Sequence, residues 1–201
     1  MDNAVACGEL DQRKRRVEQS LRERFAGLSR PEYTTVEVLR HYVRYYKAFE
    51  KTYHVQLQLE SIVSKNKSLP SVSPLVDANF VAELETLVLT AGHDVAKLRA
   101  PLCIDLSRAE DVIVQMNGSV KPMRAGDMVM RDADAVSCSI IYGQDNRSPI
   151  SPRTTHALFV AYAPPGVPAA AVESQLTRVL ANVRTFAPGC AVLQQTLLRA
   201  R

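Results

Sequence analysis

The sequence changes its period at Gly92. Before that residue the apolar side chains recur at helical spacing on a charged background, and after it they come as short β-rich runs cut by turns. Helices grouped first and strands grouped second, without regular alternation, argue for an α+β fold and against a doubly wound sheet. Leu10, Val17, Leu21, Phe25 and Leu28 outline an amphipathic helix ending near Gly27. Arg30-Pro31 breaks it, and Thr34 followed by Glu37 has the capping-box spacing that starts a second helix with Leu39, Tyr42, Val43, Tyr46 and Phe49 on its apolar face. Residues 55–63 begin with a strand-like alternation and end with a helical one; we read them as a helix. Pro74 is placed to open a further helix over 75–89. Beyond Gly92, strands are expected at 102–106, 111–116, 128–131, 136–142 and 157–163. Asn117-Gly118 forms a hairpin turn, and a closing helix covers 169–186.

With 46% hydrophobic and 23% charged residues, a chain of 201 residues can bury one substantial core. We expect an amphipathic helical extension at 1–33 and a single domain at 34–201. No apolar run approaches the roughly 20 residues of a membrane span, and no apolar signal region opens the chain, so a cytoplasmic protein is expected. Cys7, Cys103, Cys138 and Cys190 are far apart, with no Cys-x-x-Cys and no His placed to complete a zinc pattern. They read as reduced, mostly packing thiols, and no cofactor or metal is expected. Nothing in the pattern speaks to oligomeric state.

The net charge of +4 is unevenly spread. Arg13, Lys14, Arg15 and Arg16 cluster in the first helix, while Arg40, Arg44 and Lys47 form a stripe beside the tyrosines of the second. Cations among tyrosines suit a single RNA strand, with phosphates on the cations and bases stacked on the rings. Helical spacing equally suits tyrosines in the core, and the interleaved Glu9, Asp11, Glu18 and Glu23 suit a solvated face.

Three segments carry a family resemblance. Residues 69–79, Leu-Pro-Ser-Val-Ser-Pro-Leu-Val-Asp-Ala-Asn, form a proline-containing entry to a helix that begins with a Val-Asp pair and an Asn. Gly92-His93-Asp94 supplies the small-residue and Asp stop after that helix. Residues 125–160 supply two apolar strands separated by a polar loop and the threonines Thr154 and Thr155. In this order they resemble the B3/B4 domain, the tRNA-contacting and editing module of the phenylalanyl-tRNA synthetase beta subunit. The resemblance covers about residues 46–160 and implies layered β-sheets with helices packed on one side, flanked here by N- and C-terminal helices.

The same resemblance implies tRNA or another RNA as partner, and a cleft that receives an amino-acid-like ligand. Two functions follow from it: a deacylase acting in trans on mischarged aminoacyl-tRNA, or a non-catalytic binder of an amino acid, a small aromatic ligand or an RNA end. Ester hydrolysis there needs a positioned water and donors for the developing oxyanion. The candidate ligand-binding residues are His93, Asp94, Asn146 and Arg147, with Asp77 and Asn79 more structural; no catalytic residue is singled out. Ala91 stands where synthetase copies carry a His, with His93 two positions further on. Phe80 stands where they carry the Asn, and the loop 142–147 has no Glu. The topology is expected to bring Asp77, Asn79, His93, Asp94, Asn146 and Arg147 to one concave site, with His93, Asp94 and the Asn146-Arg147 loop at the ligand end.

Overall fold

The computed structural model describes Asn3 and residues 7–199. The outermost residues of the two expected segments, 1–2 and 200–201, lie outside the described residues, as do 4–6. Five helices and eight strands give the α+β order read from the periodicity. α1 (Gly8–Arg24), α2 (Glu37–Ala48) and α3 (His54–Val63) lead to α4 (Pro74–Thr86), in which nine of 13 residues are buried. A helix buried on nearly every side belongs at the centre, and α4 is packed by α1, by α3 and by the closing helix α5 (Ala169–Arg184). It also contacts β1 (Thr90–Asp94).

The strands form three antiparallel units. β1 pairs with β8 (Ala157–Ala161), with His93 opposite Leu158. A four-stranded sheet has β2 (Cys103–Leu106), β5 (Met128–Arg131), β6 (Val136–Ser139) and β7 (Gly143–Gln144) in that spatial order. The third unit is the hairpin of β3 (Val112–Val114) and β4 (Val120–Pro122). The segment after β7 joins all three: Asp145 bridges to Gln115 beyond β3, and Pro149 bridges to His93 in β1.

One large hydrophobic cluster runs from Leu10, Val17, Leu21 and Phe25 of the N-terminal region through α2, α3 and α4 to Met130, Ile140 and Tyr162. A smaller one, Ile113, Met123, Val129 and Val136, lies between the hairpin and the four-stranded sheet. The tyrosines of α2 belong to the large cluster. Tyr42 and Tyr46 donate to the carbonyls of Tyr162 and Ile140, each at 2.5 Å, and Tyr42 lies 4.3 Å from the parallel ring of Tyr53. A buried phenol needs such a partner, and these bonds tie α2 to two strand ends. They also withdraw both rings from any nucleotide.

Three local expectations are corrected. Thr34 is no N-cap: it lies in a 3₁₀ turn, its hydroxyl donates to the Pro31 carbonyl, and α2 starts after Val36 without a side-chain cap. α4 stops at Thr86 because its own side chains capture the following backbone. Thr86 Oγ1 accepts from Val88 N and Glu83 Oε1 from Thr90 N, while Leu87 turns left-handed at φ +63°. The run 136–142 ends at Ser139, whose hydroxyl accepts from both Ile141 N and Tyr142 N and bends the chain. The hairpin expected at Asn117-Gly118 joins β3 to β4; Gly118 has positive φ and its N–H bonds the Gln115 carbonyl, a type I turn followed by a left-handed glycine. All four cysteines are free, but Cys103 is exposed on the edge strand and does not pack.

Candidate functional site

Gly92-His93-Asp94 is not a turn after the helix. It is the second half of β1, and the reason is steric. A Cβ on Gly92 would lie 2.7 Å from Ile150 Cδ1 and 2.9 Å from Phe159 Cε1, so the glycine admits two side chains across the strand. The resulting strand points His93 into the joint between the three sheet units, where it is fully buried.

The ring is held at one nitrogen only. His93 Nδ1 lies 2.7 Å from Ser148 Oγ, and the Ser148 hydroxyl is 2.6 Å from Asp145 Oδ1, which also accepts from Ser148 N. A carboxylate can only accept, so the serine proton is committed to Asp145 and Ser148 must accept from the ring. Nδ1 therefore carries the ring proton. Gln144 Nε2, 3.1 Å from Nδ1, directs its own hydrogen to the Gly92 carbonyl at 2.8 Å. Among the described residues, His93 Nε2 has a bare lone pair and no partner. Burial drives the His93 pKa down to about 4, against the opposing pull of Asp145 and Asp132, so the imidazole is neutral at pH 7.

Around this relay the charges are paired. Arg147 reaches both oxygens of Asp132 at 3.2 Å, and its Nε lies 2.9 Å from Asp145 Oδ2, an ion pair bent away from hydrogen-bond geometry. Burial raises Asp132, but the N–H of Ala135, the Arg147 guanidinium and the N–H groups of Asp134 and Arg99 pull it below the usual carboxylate range. Asp94 is a turn-former: Oδ1 accepts from Ala96 N, Oδ2 from the Thr154 hydroxyl, and its N–H bonds the Ser148 carbonyl. Asn146 is exposed, with its N–H on the Val114 carbonyl.

The structure thus brings together His93, Asp94 and the loop of Asn146 and Arg147. It leaves Asp77 and Asn79 outside that cluster. Asp77 Oδ2 accepts from Lys14 Nζ at 2.8 Å, its Oδ1 takes Val72 N, and Asn79 donates to the Thr90 carbonyl. Ser148 and Asp132 complete the site and were not singled out in sequence. Ser148 is one of many serines, and Asp132 meets Arg147 from 15 residues away, a separation carrying no periodic signal.

The basic candidates divide. Lys14 is buried against Asp77 and Ser71, and is not available to a phosphate. Arg13 pairs with Glu85, whereas Arg15, Arg16, Arg40, Arg44 and Lys47 are exposed. Among the described residues no group of three or more His, Cys, Asp or Glu could hold a metal ion, and no helix is long and apolar enough to cross a membrane.

Residues 38–177 match the family model described as the B3/4 domain. A search of curated proteins finds no match.

Proposed function

As a member of the B3/4 domain family, and so a module related to the tRNA synthetases, this chain is one that we propose acts in trans on mischarged aminoacyl-tRNA, hydrolysing the ester that joins amino acid to terminal ribose. The observation that carries this reading is the tethered His93, with Nδ1 fixed by Ser148 and Asp145 and Nε2 free. A neutral imidazole with a bare Nε2 accepts a proton from water as that water attacks the ester carbonyl. Ser148 and Asp145 hold the tautomer and the ring plane in that step. The imidazolium then returns that proton to the departing ribose oxygen, so the products are a free amino acid and a ribose hydroxyl and His93 is neutral again. His93 stands two positions beyond Ala91, where synthetase copies carry His. In a strand, residues i and i+2 share a face, so the shift moves the ring along β1 by about 6.6 Å without turning it over.

One observation favours a second reading, a non-catalytic binder. His93 is fully buried, and Arg147 is matched by Asp132 and Asp145 and offers no free charge to a substrate. A panel of tRNAs charged with non-cognate amino acids separates the two. The deacylase reading expects hydrolysis of at least one above buffer, and a loss of roughly a hundredfold in His93→Ala. No hydrolysis across the panel, together with thermal stabilisation by an amino acid or analogue, would establish the binder instead.

A further inference from the structure

A cleft lined by none of the residues around His93 lies on the helical side of the molecule. It has a volume of about 470 Å³ and lies where α1 meets α4 and α5. Arg13, Arg16 and Arg24 of α1 and Arg178 of α5 line it, with Glu85 of α4 as the single carboxylate. Glu85 holds two of the four guanidiniums, Arg13 at 3.4 Å and Arg178 at 3.1 Å. Arg16 and Arg24 are exposed and have no carboxylate within 4.0 Å among the described residues; Arg24 rests 4.9 Å above the Phe25 ring. The apolar side of α1, Val17 and Leu21, is buried in the core beneath.

This arrangement is dictated by the sequence of α1. Positions 13, 16, 20 and 24 fall within an arc of about 80° on a helix turning 100° per residue, so the arginines and Ser20 form one stripe. The stripe is roughly 16 Å long at 1.5 Å per residue. That exceeds a single phosphate group and suits several successive ones. Four guanidinium forks against one carboxylate leave a net charge of three positive, and planar forks match phosphate oxygens pairwise.

We infer that the α1–α5 cleft binds the phosphodiester backbone of an RNA strand. The inference deepens the proposed function and rests on its RNA partner, but not on His93 or on hydrolysis. α1, which supplies three of the four arginines, lies outside the stretch 38–177 that matches the family model, while Glu85 and the first half of α5 lie within it. The position of the cleft is compatible with the candidate site: Glu85 precedes His93 by eight residues, which caps their separation at about 28 Å of extended chain. An RNA strand held in the cleft can therefore reach β1 with its end.

The test is binding of fluorescently labelled tRNA by the full chain across a salt series. Wild type should bind with a log–log salt slope of magnitude about 2 to 3, as three net cations on phosphates require. Arg16→Gln/Arg24→Gln should weaken binding roughly tenfold at about 0.1 M salt and lower the slope by about 1.5. Arg40→Gln/Arg44→Gln on α2 should bind as wild type. Both pairs are exposed, and an unchanged melting temperature verifies folding. Unchanged binding in the cleft variant, or a loss confined to the α2 variant, overturns the inference. If wild type hydrolyses a mischarged tRNA and the cleft variant does so with unaltered KM, the cleft fails while the deacylase stands. If wild type binds no tRNA but captures polyglutamate through the same arginines, the cleft is a site for an acidic protein and both readings fail.

Discussion

At the sheet junction the polar side chains of His93, Asp132, Asp145 and Ser148 are buried, and the one cation among them, Arg147, is matched by Asp132 and Asp145. In the cleft between α1 and α5, two of four arginines stand in solvent with no acid beside them. Desolvation accounts for the difference. A buried charge without a partner costs several kcal/mol, so a site built there must be internally neutralised, and what remains free is a neutral lone pair. An exposed guanidinium costs nothing to leave unpaired, so a surface can keep net charge in reserve for a partner. The junction is suited to hold one group in a fixed orientation; the cleft is suited to attract a polyanion.

Lys14 breaks this division most directly, because it lies on α1 between arginines of the cleft yet behaves like a junction residue, sealed on Asp77. Asp77→Ala strands a buried ammonium and should destabilise the protein by about 4 kcal/mol. Arg15→Ala, one position from Lys14 and exposed, should change stability by less than about 0.5 kcal/mol. Chemical denaturation of the two variants measures the contrast, and a small loss for Asp77→Ala would mean that burial does not separate the two kinds of cation.

Within the junction, Asp145 accepts the Ser148 N–H and hydroxyl and faces Arg147. Asp145→Ala should cost about 3 kcal/mol, since it leaves the Ser148 donors unmatched and half of the Arg147 pairing gone. For a chain of this size that lowers the melting temperature by about 10 °C. Asp145→Asn keeps an acceptor and should recover part of the loss. Equal effects for the two substitutions would place the contribution in packing, outside the hydrogen-bonded relay.

The same contrast explains what could be read from the sequence. Helices α1, α2 and α5 were legible because one face of each is buried, which writes a 3.6-residue period into the chain, as with Leu10, Val17 and Leu21. The strand at Gly92 was not, because glycine and aspartate are turn formers by local propensity. The glycine is there for the two side chains, Ile150 and Phe159, that approach it from elsewhere in the chain. Proximity of His93 to the loop after Tyr142 followed from connectivity. The pairing of Arg147 with Asp132 depends on the register of β5 and β6, with a bulge between Met130 and Arg131, and no local pattern encodes it. The cleft arginines were visible as a basic run, but only the packing of α1 on α4 separates Arg16 from Lys14.

Glu83 sharpens the comparison by supplying what the junction avoids, a buried acid with no cation. Burial raises its pKa to about 8, only partly opposed by the Thr90 N–H, while Asp132, held by Arg147 and three N–H groups, ends below the usual range. With an ordinary value of 4.5 in the unfolded chain, Glu83 binds one more proton in the native state between pH 4.5 and 8. Its contribution is fully present below 4.5 and falls as pH rises through 8, by about 1.4 kcal/mol per unit inside the window. His54 and His93 run the other way: burial lowers both to about 4 from 6.5, so their contribution is complete above 6.5 and lost as pH falls through 4. The two trends leave greatest stability near pH 6.5, with the alkaline decline due to Glu83. Unfolding free energy should therefore drop by about 2 kcal/mol between pH 6.5 and 8 in the wild type. Glu83→Gln keeps an oxygen for the Thr90 N–H and has nothing to ionise, so its stability should not decline over that range and should exceed wild type by about 4 kcal/mol at pH 8, the loss accumulated since pH 4.5. A variant that declines as steeply as the wild type would show that Glu83 is charged in the fold, and that a buried carboxylate survives here without the arginine that the junction supplies.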